Sequence, residues 1–191
     1  MNDAPLVLGF DTSGPHCAAA LMRGDTLLQS KGEDMARGQA ERLMDLLQEV
    51  LDDASVAWTD LNALAVGVGP GNFTGIRISV SAARGLALGL GVPAYGVTGF
   101  EARARLAPAG ADVAIPAPRD MVYVHLDGAP TLQPATSIQT PAPQPGPAAL
   151  AEAIAATGRT RWPERAAPPA PLYVKPPDAA PARDAPPKIL P

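Results

Sequence analysis

Cysteine and histidine are scarce in this sequence, which limits the metal and redox chemistry that it can support. The single cysteine, Cys17, cannot form a disulfide within the chain, so nothing indicates an oxidising compartment. His16 and His125 are far apart, and neither has a histidine or cysteine at metal-ligand spacing, so we expect no zinc or iron site. We expect Cys17 to pack within a strand and not to act as a nucleophile, because its neighbour His16 points to the opposite face and cannot serve it as a base.

Positive charge and long apolar runs are also in short supply. The 191 residues carry a net charge of -4 and have a pI near 5.1, which disfavours a broad nucleic-acid-binding face. The N-terminus has no basic segment, and no stretch approaches the roughly 18 consecutive apolar residues of a membrane span. We therefore predict a cytoplasmic protein without membrane contact, which would need a partner to bind RNA.

Proline is plentiful but unevenly distributed. Seven of the 23 prolines precede residue 130, and sixteen lie in residues 130–191. Because proline cannot donate to a strand ladder or sit inside a helix, order should decrease toward the C-terminus. We predict an N-terminal unit, residues 1–107, and a shortened, proline-rich C-terminal α/β unit, residues 108–191, in which residues 163–171 and 176–191 are extended.

Apolar periodicity predicts a mixed sheet in the first unit. Three short apolar runs separated by turn residues predict an antiparallel meander, and apolar residues then recur alternately at helical and strand spacing. The resulting β-β-β-α-β-α-β-α order is the ribonuclease-H-like arrangement, with helices on the faces of the sheet. The predicted strands cover residues 6–10, 17–22, 26–30, 64–68, 92–97, 111–115, 121–126 and 131–138, and the predicted helices cover residues 36–52, 74–90, 98–106 and 148–156.

The most distinctive stretch is a glycine-rich loop, GPGNFTG, between a predicted strand and a predicted helix. Gly69, Gly71 and Gly75 permit positive φ or the close approach of another group, and Asn72 and Thr74 can cap the helix. Such a loop can hold an anion or form a tight packed corner. It is not a P-loop, which needs Lys-Ser/Thr at its end, nor a dinucleotide fingerprint, which needs a third glycine where Thr74 stands.

Asp11 follows the first predicted strand, where phosphate and metal chemistry is often placed in ribonuclease-H-like folds. Two-metal chemistry needs several convergent carboxylates, and no other acid clearly ends a neighbouring core strand. A turn-and-cap role for Asp11, Thr12 and Ser13 is therefore an equally good interpretation. The weak candidates for cofactor contact are Asp11, Thr12, Gly69 and Gly71.

The two long predicted helices are rich in apolar and small side chains. Met44, Leu47 and Leu51 belong to a wide apolar stripe of the first helix, and Ser79 and Ala83 belong to a small-residue side of the second. Covering the sheet is the simpler interpretation of both faces. A surplus of apolar helix surface favours a partner interface instead.

Three segments resemble the TsaB (YeaZ) family of the tRNA threonylcarbamoyladenosine pathway: LGFDTSGPHCAAALMRGDTLL, ERLMDLLQEVL and LNALAVGVGPGNFTGIRISVSAARGLALGLGVPAYGVTGFEA. The resemblance implies an actin-like, sugar-kinase-like fold of two related halves. It also implies a subunit without its own catalysis, which serves as scaffold and activator of its paralogue TsaD. The implied complex contains TsaD and the ATPase TsaE and transfers a threonylcarbamoyl group to the adenosine next to the anticodon of tRNA.

In the family the two helices form the partner surface, so the resemblance places the interface on helices 36–52 and 74–90. The same surface is expected to mediate a homodimer when TsaD is absent. ATP or ADP and metal are expected on the partner subunits, with no cofactor on this chain and only indirect contact with tRNA. Gln39 and Asn72 depart from relatives, which often carry His and Ser there. The implied interface residues are Gln39, Leu43, Met44, Leu47, Val50, Leu51, Thr74, Arg77, Ser79, Ala82, Ala83 and Leu86.

Two other functions stay open on the residues alone. The first is an independent enzyme of the superfamily, a peptidase or a nucleotide hydrolase that uses Asp11 and the glycine loop, although the sequence has no Gly-x-Ser-x-Gly elbow. The second is direct tRNA binding, which predicts salt-sensitive RNA affinity. The net charge of -4 disfavours that second function.

Overall fold

The structure, a computed structural model, describes residues 4–126 and 128–174. Within them no helix is both long and apolar enough to cross a bilayer. The strands are β1 Leu6–Asp11, β2 His16–Arg23, β3 Thr26–Asp34, β4 Ala63–Gly67, β5 Ala94–Val97, β6 Ile115–Ala117, β7 Met121–Leu126 and β8 Ala129–Pro134. The α-helices are α1 Gln39–Asp53, α2 Phe73–Leu90, α3 Gly99–Ala104 and α4 Pro147–Arg159, and short 3-10 helices cover Trp58–Asp60 and Ala135–Ser137.

The larger of two sheets has the strand order β3-β2-β1-β4-β5. Strands β1, β2 and β3 form an antiparallel meander because short turns join them. Strands β4 and β5 extend the sheet in parallel, because α1 and α2 provide the crossover connections that parallel strands require. The predicted β-β-β-α-β-α-β-α order and its ribonuclease-H-like arrangement are confirmed.

Helices α1 and α2 cover one face of the larger sheet. Leu47 of α1 and Val80 of α2 are buried with Phe10 of β1 and Val66 of β4 in the largest apolar cluster. Helix α1 starts at Gln39 rather than at residue 36, because Gly38 before it has a φ of 93°, in the left-handed region.

Helix α4 covers the opposite face, although it lies beyond the unit boundary predicted after residue 107. Ile154 of α4 is buried with Val7 and Tyr95 of the larger sheet. The helix approaches β1 so closely that a Cβ at Gly9 would lie 2.7 Å from the Cβ of Ala155. The predicted boundary therefore does not separate two cores, because the first sheet needs a helix from the second unit to bury its other face.

The smaller sheet is antiparallel, with the order β6-β7-β8. Two of its predicted strands have wrong bounds: β6 begins only at Ile115, and β8 ends at Pro134 instead of continuing to residue 138. Pro134 has no N–H to donate, and a 3-10 helix follows it.

The chain after α4 crosses the carboxyl end of the larger sheet without forming a helix or strand, as predicted for residues 163–171. The Tyr95 hydroxyl donates to the Glu164 carbonyl oxygen at 2.7 Å, and the Leu172 N–H donates to the Val68 carbonyl oxygen at 2.8 Å. Residues 176–191, which the sequence predicts to be extended, lie outside the described residues.

Candidate functional site

The glycine-rich loop lies directly against the turn that follows β1. The Asn72 N–H donates to the Ser13 carbonyl oxygen at 2.7 Å, and the Thr12 hydroxyl donates to the Gly75 carbonyl oxygen at 2.7 Å. A Cβ at Gly75 would overlap the Thr12 carbonyl oxygen, and a Cβ at Gly71 would overlap that of Ser13. Two motifs that are separate in the sequence thus form one corner, in which glycine permits the close approach.

The loop also caps α2 and bonds to the start of α3. The Asn72 Oδ1 accepts from the Gly75 N–H at 2.8 Å, so the predicted capping role of Asn72 is confirmed. Thr74 instead lies inside α2 and is exposed. Gly69 has a φ of 94°, and its carbonyl oxygen accepts from the Gly99 N–H at 2.8 Å. Of the two interpretations of the loop, this geometry supports the packed corner.

Asp11, Ser13 and His16 form a buried polar cluster at the same corner. The Asp11 Oδ2 accepts from the Ser13 hydroxyl at 2.9 Å and lies 2.7 Å from the His16 Nε2. Asp11 is only 1% exposed, and its Oδ1 has no hydrogen-bond partner among the described residues. That oxygen lies against Gly67, where any Cβ would overlap it.

The pairing of Asp11 with His16 was not predicted from the sequence. Only histidine and cysteine were considered there as partners of His16, whereas the partner is the carboxylate of Asp11, five positions earlier. Asp11 ends β1 and His16 begins β2, and a short turn joins these two antiparallel strands. The usable signal was that short connection, because it brings the ends of the two strands together.

Cys17 is buried in β2, as expected from the sequence. Burial raises the pKa of its thiol to about 12, so the thiol stays protonated and is a poor nucleophile. His125 lies away from the corner and packs edge-on against the Phe100 ring, with 5.5 Å between centroids. In the described part of the chain, no group of three or more His, Cys, Asp or Glu side chains is placed to hold a metal ion.

A cleft of about 1100 Å³ opens between this corner and the smaller sheet. Ser13, His16 and Asn72 give it a polar wall, and Arg103 of α3 lines it as well. The smaller sheet provides an apolar wall opposite, which includes Ile115, Met121, Tyr123 and Leu132. A cleft with an apolar surface and a few polar groups is the usual form of a small-molecule site.

Half of the predicted interface residues are inaccessible to a partner, which corrects their assignment. Each of these six is at most 1% exposed and packs within this chain: Leu43, Leu47, Val50, Leu51, Ser79 and Ala83. Apart from Met44, the apolar stripe of α1 covers the sheet, so the simpler interpretation holds for these buried residues and they supply no surplus surface. A residue buried in the core can position the helix but cannot contact another protein.

The other predicted interface residues remain within reach of a partner. Met44 is 43% exposed, Thr74 and Arg77 are exposed, and Gln39, Ala82 and Leu86 are half-buried. Leu88, which the sequence reasoning did not select, is 87% exposed on α2. We call nine of the exposed residues of α1 and α2 the helix surface: Glu41, Met44, Asp45, Gln48, Thr74, Arg77, Ser81, Arg84 and Leu88.

Residues 30–129 match the protein-family model described as TsaD, tRNA N6-adenosine threonylcarbamoyltransferase. The uncharacterized protein Rv3421c of Mycobacterium tuberculosis is 32% identical over 205 residues, which cover 92% of this chain and 94% of that protein. The tRNA threonylcarbamoyladenosine biosynthesis protein TsaB of Escherichia coli is 39% identical over 92 residues, which cover 48% of this chain and 39% of TsaB. The chain thus matches less than half of the length of that TsaB protein.

A solved structure also resembles this one over most of its length. It is the crystal structure of an uncharacterized protein with similarity to peptidase YEAZ, from Pseudomonas aeruginosa. The TM-score is 0.71 at 25% sequence identity, and the alignment covers 90% of this chain and 100% of that chain. This likeness confirms the predicted fold class.

Proposed function

The chain belongs to the TsaD family and, within it, to the TsaB (YeaZ) proteins, and on that premise we propose that it works in tRNA threonylcarbamoyladenosine biosynthesis. In this role it is a non-catalytic scaffold and activator of TsaD. The complex transfers a threonylcarbamoyl group to the adenosine next to the anticodon of tRNA. Nucleotide and metal belong to the partner subunits, TsaE among them, and tRNA contacts this chain only indirectly.

The closed glycine corner is the observation that carries this proposal. The loop packs against the carbonyl oxygens of Thr12 and Ser13, and the amides of Asn72 and Gly75 donate to oxygens of the chain itself. A loop bonded in this way fixes where α2 begins, and so it fixes how α2 is presented beside α1. The glycine-rich loop then serves to present the helix surface rather than to hold a phosphate.

We place the contact with TsaD on the helix surface. Met44 and Leu88 supply exposed apolar side chains, and the same two helices carry exposed charges of both signs, acids on α1 and arginines on α2. Apolar anchors within a polar rim are the usual composition of a protein interface. The same surface pairs two copies of this chain when TsaD is absent.

Glutamate substitutions at the two apolar anchors test this placement. We expect Met44→Glu and Leu88→Glu each to weaken binding to TsaD by about ten-fold or more, which corresponds to about 1.4 kcal/mol. Leu106→Glu is the matched control, because Leu106 is 45% exposed and lies outside α1 and α2. Titration calorimetry measures the affinity of the three variants for TsaD. Equal affinities of all three would contradict the placement of the interface on the helix surface.

One observation favours the second candidate, an enzyme in its own right. His16 lines the cleft, and the buried Asp11 carboxylate lies 2.7 Å from its Nε2, as in sites where a carboxylate orients a histidine base. The purified chain should be assayed alone with ATP and with peptide substrates, before and after Asp11→Asn. Hydrolysis that disappears in the folded variant would replace the scaffold proposal with this one.

A further inference from the structure

Arg103 places a half-buried positive charge in the cleft, and both of its hydrogen-bond partners among the described residues are neutral. Its Nε donates to the Gln144 Oε1 at 3.3 Å, and its Nη1 donates to the Gly99 carbonyl oxygen at 3.4 Å. None of the salt bridges found among residues 4–126 and 128–174 includes Arg103. Burial lowers the pKa of the guanidinium, because removing a cation from water disfavours its charged form.

Asp11 acts on Arg103 only from beyond salt-bridge distance. Its charge raises the pKa of Arg103, but burial has the larger, opposite effect. The Asp11 Oδ2 is already bonded to Ser13 and close to His16, and its Oδ1 lies against Gly67. The Asp11 carboxylate is therefore held at its own cluster and leaves the guanidinium able to bind another anion.

The apolar wall of the cleft begins beside Arg103. A Cβ at Gly99 would lie 2.8 Å from the Ile115 Cδ1 and 3.1 Å from the Arg103 Nη1, so these two side chains meet over the same glycine. In the smaller sheet Ile115 pairs with Tyr123, and Tyr123 pairs with Leu132. The wall thus continues from the arginine across all three strands.

Two further charged residues line the cleft at more exposed positions. Arg119, on the turn between β6 and β7, adds a second positive charge, and Asp34 at the end of β3 adds a negative one. Arg103 is the less exposed of the two arginines, so solvent and salt screen it less. It is therefore the stronger candidate to fix the charged group of a ligand.

We propose that this cleft binds a small organic anion, with its carboxylate or phosphate group on Arg103 and its apolar or aromatic body against Ile115, Tyr123 and Leu132. The volume of about 1100 Å³ accommodates such a molecule. A planar guanidinium binds either group through two parallel hydrogen bonds. The binding requires no partner subunit, so it is separate from the proposed contact with TsaD.

The test titrates the purified full chain with four probes: phenyl phosphate, benzoate, inorganic phosphate and the neutral benzyl alcohol. We expect at least one aromatic anion to bind about ten-fold more tightly than benzyl alcohol and than inorganic phosphate, because only it uses both the arginine and the apolar wall. Comparison of phenyl phosphate with benzoate identifies the preferred charged group. Failure of both aromatic anions to bind at millimolar concentration would overturn the proposal.

The arginine itself is tested by a matched pair of variants. Arg103→Gln should weaken binding of the preferred aromatic anion about ten-fold and leave binding of benzyl alcohol unchanged. Arg105→Gln, at an exposed position two residues later, should change neither affinity. Arg103→Lys keeps the charge and should retain part of the affinity even if the glutamine variant is poorly folded. Equal affinities of the Arg103 and Arg105 variants for the anion would contradict the assignment.

Discussion

Alanine at Gly75 should destabilise the chain, whereas alanine at Gly85, further along the same helix, should stabilise it. Both positions lie inside α2, where alanine is favoured over glycine by about 1 kcal/mol. At Gly85 no described atom beyond the neighbouring backbone of its own helix lies within 4 Å of the added Cβ, so the variant should gain about 0.5–1 kcal/mol in the free energy of unfolding.

The added Cβ at Gly75 would overlap the backbone carbonyl oxygen of Thr12, which cannot rotate away as a side chain could. Moving the turn after β1 to make room is an overpacking cost of about 1–3 kcal/mol. The same movement disturbs the hydrogen bond from the Thr12 hydroxyl to the Gly75 carbonyl oxygen, which contributes about 1 kcal/mol. Since the helix gain of about 1 kcal/mol offsets that bond, the net loss is about 1–3 kcal/mol.

Urea denaturation followed by circular dichroism measures both variants against the unsubstituted chain. The account predicts opposite signs for Gly75→Ala and Gly85→Ala. Equal stability of the two variants would refute the interpretation of the glycine-rich loop as a packed corner, because the loop would then have room for a methyl group beside Thr12.

Three further predictions concern single side chains. Asn72→Ala should lower the free energy of unfolding by about 1 kcal/mol through loss of the helix cap, while Asn72→Ser, which retains a capping oxygen, should change it little; denaturation curves compare them. Cys17 should react with a thiol reagent at pH 8 only after denaturation, and rapid reaction of the native chain would contradict its burial. Hydrogen bonds from Arg42 and Lys31 lower the pKa of Glu49 to about 2, below its ordinary 4.5, so its contribution to stability is present above pH 4.5 and lost as the pH falls toward 2. Stability curves of the unsubstituted chain and Glu49→Gln should therefore differ at pH 6 and converge near pH 2, and curves that stay parallel would contradict this.

The first half of the fold could be predicted because local signals agreed with the tertiary arrangement. The apolar runs of β1 and β4 lie in the core, and the leucines of α1 at helical spacing face it. The second half resisted prediction for a physical reason. Prolines such as Pro134 shorten its strands, and the packing of α4 on β1 depends on a close contact at Gly9 that no periodicity reveals.

The candidate site was predicted less completely than the fold. Asp11 and the glycine loop were both selected, but nothing in a single sequence shows that Gly75 packs on Thr12. Periodicity identifies the apolar side of a helix without stating whether the sheet or a partner covers it, and this is why Leu47 and Ala83 were misassigned to the interface. The exposure of each side chain in the structure distinguishes a residue that covers the sheet from one that a partner can reach: Leu47 is buried, whereas Met44 is exposed.

The proposed role as activator is tested most directly by TsaD-dependent modification of tRNA in vitro. The reaction contains TsaD, TsaE, ATP, an enzyme that supplies the threonylcarbamoyl group, and unmodified tRNA, with and without this chain. The account predicts that addition of the chain increases formation of threonylcarbamoyladenosine, that the chain without TsaD forms none, and that Met44→Glu lowers the increase while Leu106→Glu does not. Equal modification with and without the chain would contradict the account.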